Sequence, residues 1–350
     1  MESAAVRARS VRALPRRWVW AGAAAAFLLV SLLVGALVGP TRLGVGDVLA
    51  SLLAHAGVPG MHPHLSATDE TILWQIRLPR VVLGALVGAM LATAGASYQG
   101  VFRNPLADPY LLGVAAGAGL GATIAVAYAP SRQLLPPAAF VGGAVAVALT
   151  YLIGSSAGRE RSGATLVLAG VTVVSFFTAL QTFVQQQHSD TLQQVYSWIL
   201  GSLPSSGWND VLLLLPYVGI ALAALLLHRR LLDVLSLGEE EAASLGVDVG
   251  RVRLAVVLAA TIGTAGAVAV SGLIGFVGII VPHAIRLVVG GSYRVLLPLS
   301  VVVGAGFLVL ADVVARTALS PAELPIGVVT AFCGAPFFAV VLRTSRKTFG

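Results

Sequence analysis

Apolar residues fill most of the chain in long unbroken blocks separated by short polar stretches, and within a block they run on rather than alternate. A block of about 20 residues spans a hydrocarbon core of about 30 Å as a helix rising 1.5 Å per residue. A membrane barrel would instead show alternation over segments of about 10 residues. The pattern predicts an all-α polytopic membrane protein with ten transmembrane helices. The first covers 18–38, the second Leu78 to Phe102, the third Leu106 to Tyr128 and the fourth 137–154. The fifth covers 164–187, with an amphipathic piece after it at Gln193–Leu200, and the sixth covers 209–227. The apolar stretch from Leu254 to Val289 is too long for one crossing, and its Gly-rich zone 271–278 divides it into a seventh helix and a short eighth. The ninth covers 295–316 and the tenth 325–342, so an even number of crossings places both ends of the chain on one face.

Small residues recur every four positions within several of these spans: Gly84, Gly88, Ala92, Ala96 and Gly100; Gly113, Gly117 and Gly121; Gly263, Ala267, Ser271 and Gly275. Such stripes let helix backbones approach closely where no hydrophobic effect drives them together. They predict tight packing within one subunit, with an interface between subunits as the other use for a stripe.

Composition supports the bilayer. Of the 350 residues 57% are hydrophobic and 11% charged, with a mean hydropathy of +0.90; a soluble domain carries about 25% charged residues. The net charge of +7 does not indicate a nucleic-acid partner. Most basic residues fall in the tails and loops of one face, among them Arg159, Arg161, Arg229, Arg230, Arg343, Arg346 and Lys347, which is the positive-inside distribution. Arg16 and Arg17 before an apolar stretch resemble a signal peptide, but Trp18 to Val38 is longer than a typical signal core. It reads as a retained first helix. The domain layout is then a cytoplasmic tail at 1–17, one ten-helix domain at 18–343 and a cytoplasmic tail at 344–350. Cys333, the one cysteine, permits no intrachain disulfide and reads as a small packing residue.

Lys347 is the only lysine and no G-x-x-x-x-G-K-[ST] run exists, so the chain is not itself a P-loop ATPase. The one G-x-S-x-G match, Gly154-Ser-Ser-Ala-Gly158, closes an apolar helical run rather than forming a strand-to-helix elbow, and H-E-x-x-H and C-x-x-C patterns are missing; no enzyme chemistry is expected. Asn104-Pro-Leu-Ala-Asp-Pro109 breaks the chain between two helices, because each proline disfavours helix in its predecessor. It is either a tight turn or a constriction in a pathway. Asp312 and Arg316 are spaced to pair on one helix, which lowers the cost of a charge within the membrane. His62 and His64 read as part of a solvated loop rather than a metal site, and His283 as a hydrogen-bonded histidine at a helix end. No metal is expected. The inner segment 231–250 mixes regularly placed leucines with Glu239-Glu240-Glu241 and glycine stops at Gly238 and Gly246. A short amphipathic helix of acidic character suits a groove on a partner better than anionic lipid.

From about Arg77 to Val341 the chain resembles the permeases of iron-siderophore, haem and vitamin B12 ABC importers, of the type II importer fold. The resemblance rests on Arg77-Leu-Pro-Arg80, on Gln99-Gly-Val-Phe-Arg-Asn-Pro-Leu-Ala-Asp-Pro109 with Leu112-Gly-Val114, and on Leu237-Gly-Glu-Glu-Glu-Ala-Ala-Ser-Leu-Gly246. It continues in Gly275-Phe-Val-Gly-Ile-Ile-Val-Pro-His283 with Arg286, Ala311-Asp-Val-Val-Ala-Arg316, Glu323-Leu-Pro-Ile-Gly327 and Gly334-Ala-Pro-Phe337. It implies a homodimer in the bacterial plasma membrane, surrounded by lipid, with both termini cytoplasmic and a translocation path on the two-fold axis. Two cytoplasmic ATPase subunits would hold ATP and Mg, this chain would bind no cofactor, and an extracytoplasmic binding protein would dock outside. By the same resemblance Leu237, Gly238, Glu239, Glu240, Glu241, Ala242, Leu245 and Gly246 couple to the ATPase. Asn104, Leu106, Gly163 and Ala164 form the cytoplasmic gate, and Arg77, Arg80 and Arg316 receive the binding protein. Ala115-Ala116 stands where the family commonly has serines, and Leu203-Pro204 follows Trp198-Ile-Leu-Gly201 where a less rigid sequence is usual; the cargo stays open. The alternative is a secondary active transporter, which calls for ionisable residues at mid-membrane; few exist apart from the Asp312 region.

Overall fold

The computed structural model describes residues 16–41, 43–60, 65–129, 131, 133–156, 163–203 and 207–345. His62, His64, Arg159, Arg161, Pro204, Arg346, Lys347 and most of the 1–17 tail lie outside the described residues. Helices dominate, and the single β-bridge, Leu319 with Ala322, joins no strand among the described residues. After α1 (Arg16–Leu37) come α2 (Val45–His55) and α3 (Ala67–Thr71), the latter running through a π-helical turn at Ile72–Arg77 into α4 (Leu78–Val101). A 3-10 turn at Pro109–Leu112 leads to α5 (Val114–Tyr128), then α6 (Leu135–Ser156), α7 (Gly163–Gln187) and α8 (Leu192–Ile199). The chain continues with α9 (Trp208–Leu235), α10 (Glu239–Ser244), α11 (Val249–Ser271), α12 (Val277–Val289), α13 (Tyr293–Thr317) and α14 (Ile326–Ser345).

Helices stand at all ten expected positions. Seven are long and apolar enough to cross a membrane, while α5, α12 and the apolar part of α14 are shorter. Two boundaries differ from the sequence reading. The third helix begins at Val114, since Asn104 to Gly113 is spent on a turn and the 3-10 segment. The sixth does not stop at 227: α9 carries His228, Arg229 and Arg230 on into its last turns, where Leu232 and Leu235 are buried.

α4 is the hub. It packs against α13, α11, α9 and α12, and 20 of its 24 residues are buried. Around it α1, α6, α7 and α9 turn most of their apolar surface outward; in α1, for example, only 22% of the span is buried inside the chain. Exposed Leu212, Ile220 and Leu227 on α9 and Phe176 and Phe183 on α7 form bands larger than a water-soluble monomer shows. Lipid or a second chain must cover them. The small-residue stripes act inside the subunit, as expected: a methyl group on Gly88 of α4 would overlap the Gly304 carbonyl of α13, and one on Gly117 of α5 would overlap the Gly142 carbonyl of α6.

Candidate functional site

At the end of the bundle expected to face outward, three arginines converge. Arg80, on the first turn of α4, grips the Asp312 carboxylate of α13 through Nε and Nη2, at 3.0 and 2.9 Å. It also reaches the Glu323 carboxylate through Nη1 and Nη2, at 3.1 and 2.9 Å. Arg316 lies 3.5 Å from Asp312 on the same helix, as the i, i+4 spacing predicts, and donates to the Gly35 carbonyl of α1 at 2.6 Å. Its Nε sits at ion-pair distance and makes no hydrogen bond among the described residues. Arg77 donates to the Ala36 and Leu37 carbonyls at 3.2 and 2.8 Å and to that of Thr41. It thereby satisfies the acceptors left over at the C-terminus of α1, where a cation also suits the helix dipole. All three arginines are buried, and only Glu323 is substantially exposed. The surface guanidinium groups that a docking role calls for are not what the structure presents: these side chains clasp α1, α4, α13 and the 319–325 segment to one another.

At the opposite end α4 closes with Arg103 at φ +51°, a left-handed conformation that costs a non-glycine residue about 1–2 kcal/mol. It is held there by bonds from the Arg103 and Asn104 amides back to the Gly100 and Gln99 carbonyls, the pattern that usually ends on glycine. The Asn104 side chain accepts from the Leu106 amide at 2.9 Å, a local turn, and Arg103 to Leu106 stay exposed. Asp108 then caps the 3-10 turn, accepting from the Tyr110 amide at 2.8 Å. Burial pushes its carboxyl up to about 6, with the amide bond pulling weakly the other way. Tyr110 both donates to the Ile274 carbonyl and accepts from the Ile274 amide, at 3.0 and 3.2 Å. Gly170 lets α7 close onto the Leu111 carbonyl, so the helix that begins at Gly163 and Ala164 meets the segment following Asn104 and Leu106. The Gly163 and Ala164 side-chain surroundings lie outside the described residues.

The acidic segment forms a self-contained corner beyond α9. Gly238 adopts φ +144° at the start of α10, where a methyl would strike the Glu241 carboxylate. The short helix ends on Gly246 at φ +79°, with Gly246 N bonded to Ala243 O and Val247 N to Ala242 O, the paired bonds of a Schellman cap. Ala242 is fully buried and Glu239 pairs with the buried Arg253 of α11. These two seat the corner on its own chain: Ala242 faces inward, while Glu239 stays exposed beside its pairing with Arg253. What projects is Leu237 and Leu245, 62% and 64% exposed, around Glu240 and Glu241. Two bare leucines flanking carboxylates at the tip of a rigid corner form an anchor shape.

His283 also departs from expectation. Its ring lies edge-on to Phe337 and Phe338 of α14, at 5.6 and 6.4 Å, and Nδ1 has no partner among the described residues. Sequence reasoning passed over Gly95, whose backbone meets that of Gly278 on α12; its neighbours at four-residue spacing, Leu91 and Gln99, break the small-residue signal. The described residues contain no group of three or more histidine, cysteine, aspartate or glutamate side chains placed to hold a metal.

The FecCD transport family model matches residues 27–344. The cobalamin import system permease protein BtuC of Halobacterium salinarum is 41% identical, over 97% of this chain and 98% of that one. The Fe(3+)-citrate import system permease protein YfmD of Bacillus subtilis is 38% identical, over 80% and 83%. Among solved structures, a metal-chelate type ABC transporter in an inward-facing conformation superposes with a TM-score of 0.80 at 30% identity, covering 94% of this chain and 99% of that one.

Proposed function

Because the chain belongs to the FecCD transport family, we propose that it is the membrane-spanning subunit of an ATP-driven importer whose cargo is an iron chelate, haem or cobalamin. The relatives' printed cargoes, cobalamin and ferric citrate, support that class. Energy comes from separate ATPase subunits, since the chain carries no phosphate-binding loop of its own. An extracytoplasmic binding protein delivers the cargo, two copies form the working pair, and all ten expected helices cross the plasma membrane with both termini in the cytoplasm. The inner turn at Asn104–Leu106, with the start of α7, is the gate.

The observation that carries this reading is the α10 corner. A helix of six residues has no propensity to stand alone, yet here glycine caps, a buried alanine and the Arg253–Glu239 pair hold it rigid while its leucines stay bare. That is how a seat for a partner is built. A secondary transporter would need an ionisable group free to exchange a coupling ion. Asp312 is the one buried carboxylate within the described spans, and it is locked between Arg80 and Arg316.

The test is co-purification with the ATPase encoded alongside. Glu240→Arg with Leu245→Arg changes only projecting side chains, so the permease folds normally. Losing central anchors costs about 2 kcal/mol or more, and ATPase recovery falls at least about tenfold. Undiminished recovery overturns the reading.

A further inference from the structure

A line of hydrogen bonds and close packing contacts, exposed at its start and buried at Gln99, runs from the α10 corner to the inner turn, through side chains that the site as described leaves without a task. It begins at Asp233, in the last turn of α9, four positions before Leu237. The Asp233 carboxylate accepts the Tyr293 amide at 2.6 Å and the Ser292 hydroxyl at 3.1 Å, and Arg294 lies 3.3 Å away. It thus caps α13 from another helix. Tyr293 is buried, its ring lying where a methyl on Gly100 of α4 would collide, and its phenol faces the Arg286 guanidinium of α12. Arg286 donates through Nη2 to the Gln99 Oε1 at 2.8 Å, while its buried Nη1 has no partner among the described residues. Gln99, 2% exposed, passes the link on: its Nε2 donates to the Gly278 carbonyl at 3.1 Å. Gly278 packs against Pro109, and Tyr110 holds Ile274 just ahead of α12 by two hydrogen bonds.

This line makes α12 a lever. Gln99 pins it to α4 at Gly278 near one end and, through Arg286, near the other. The helix starts from Phe276 at φ +69°, strain that persists only where the surroundings over-determine it. A shift of the α9–α10 corner therefore moves the α13 cap, the Tyr293 ring and the Arg286 end of α12 together. Pro109 and Tyr110 carry that shift into the turn containing Asn104 and Leu106.

We propose that Arg286 and Tyr293 are positioning residues that transmit movement of the α9–α10 corner through α12 to the inner turn. The proposal rests on the reading of α10 as the ATPase seat and of Asn104–Leu106 as the gate.

The experiment uses the importer complex in inside-out vesicles. Cys333→Ala removes the one native thiol, and Leu106→Cys places a reporter on the exposed turn. The rate of labelling by a membrane-impermeant maleimide is compared without nucleotide and with Mg-ATP plus vanadate. In this background, nucleotide changes the rate. Arg286→Met, which deletes the Gln99 bond, and Gln99→Leu, which deletes the Gly278 bond, each shrink that change about fivefold or more, the scale of a coupling free energy of 1 kcal/mol. Arg286→Lys keeps a donor and retains most of the response. ATPase co-purification with each variant shows that the corner still seats its partner. A full nucleotide response in Arg286→Met or Gln99→Leu overturns the proposal. So does equal loss in Arg286→Lys and Arg286→Met with the ATPase still bound, which would assign the effect to packing. A background that shows no nucleotide response sinks the gate reading, and the proposal with it.

Discussion

Asp312 is 1% exposed and faces two guanidinium groups. In an interior where charges are poorly screened, that carboxylate is what allows Arg80 and Arg316 to share a site. Removing one member of a buried ion network strands the others, at a cost of about 3–5 kcal/mol. Glu323 bonds the same arginine from a half-exposed position, where water replaces it; an exposed pair contributes about 1 kcal/mol or less. Asp312→Asn therefore lowers the temperature at which the detergent-solubilised protein stops eluting as a single species, by far more than Glu323→Gln does. Equal shifts in the two variants would mean that the clasp is held by shape rather than charge. None of this convergence was legible in the sequence beyond the Asp312–Arg316 spacing, because the partners of Arg80 lie 232 and 243 positions away. The basic residues themselves signalled only that something at that end called for cations. Burial turned them inward.

Among the helices, closeness is set by what glycine leaves out. Gly88 and Gly304 each place a backbone carbonyl where the other's methyl would stand, so α4 and α13 touch main chain to main chain. In a bilayer this contact supplies van der Waals attraction that larger side chains would prevent. Gly88→Ala forces the pair apart and costs about 1–3 kcal/mol, the usual penalty of overpacking. Gly219→Ala on α9, where a methyl meets nothing within 4 Å, leaves stability unchanged or slightly raised. Thermal unfolding of the two variants in the same detergent checks both. The existence and order of these helices were readable because a continuous apolar run has few other ways to satisfy its backbone in lipid. Their ends were not. Leu106 to Leu112 looks equally apolar as helix or as 3-10 turn, and only Asn104 and the two prolines mark the difference. The His228-Arg229-Arg230 triplet reads as a water boundary, yet the helix runs on to bury Leu232 and Leu235. The α10 corner was legible as a short capped helix with bare leucines from its glycine stops and leucine spacing, but not the fact that Ala242 faces home.

For the whole molecule, the question is where cargo passes, and α7 gives the sharpest indication. Its inner side is packed by Val173, Phe177 and Val184. On its outward surface Ser175 and Thr182, seven residues apart, lie in a row on one side of the helix, each hydroxyl donating back to the carbonyl four residues earlier. About 100° around the helix from them, Phe176 and Phe183, both more than half exposed, form an apolar edge. A hydroxyl row gains nothing from lipid, whereas a phenylalanine edge does. If two copies pair about a common axis as proposed, the hydroxyl row is expected to line the shared path and the phenylalanines to meet hydrocarbon or the neighbouring chain. In the Cys333→Ala background, Ser175→Cys and Thr182→Cys then react with a small water-soluble thiol reagent at least about tenfold faster than Phe176→Cys and Phe183→Cys. The expected margin reflects that a buried thiol is less ionised and less reachable than one facing water. Similar slow rates at all four positions would place the path elsewhere, and similar fast rates would mean that α7 stands in water on every exposed side, which a membrane-crossing helix of this composition cannot do.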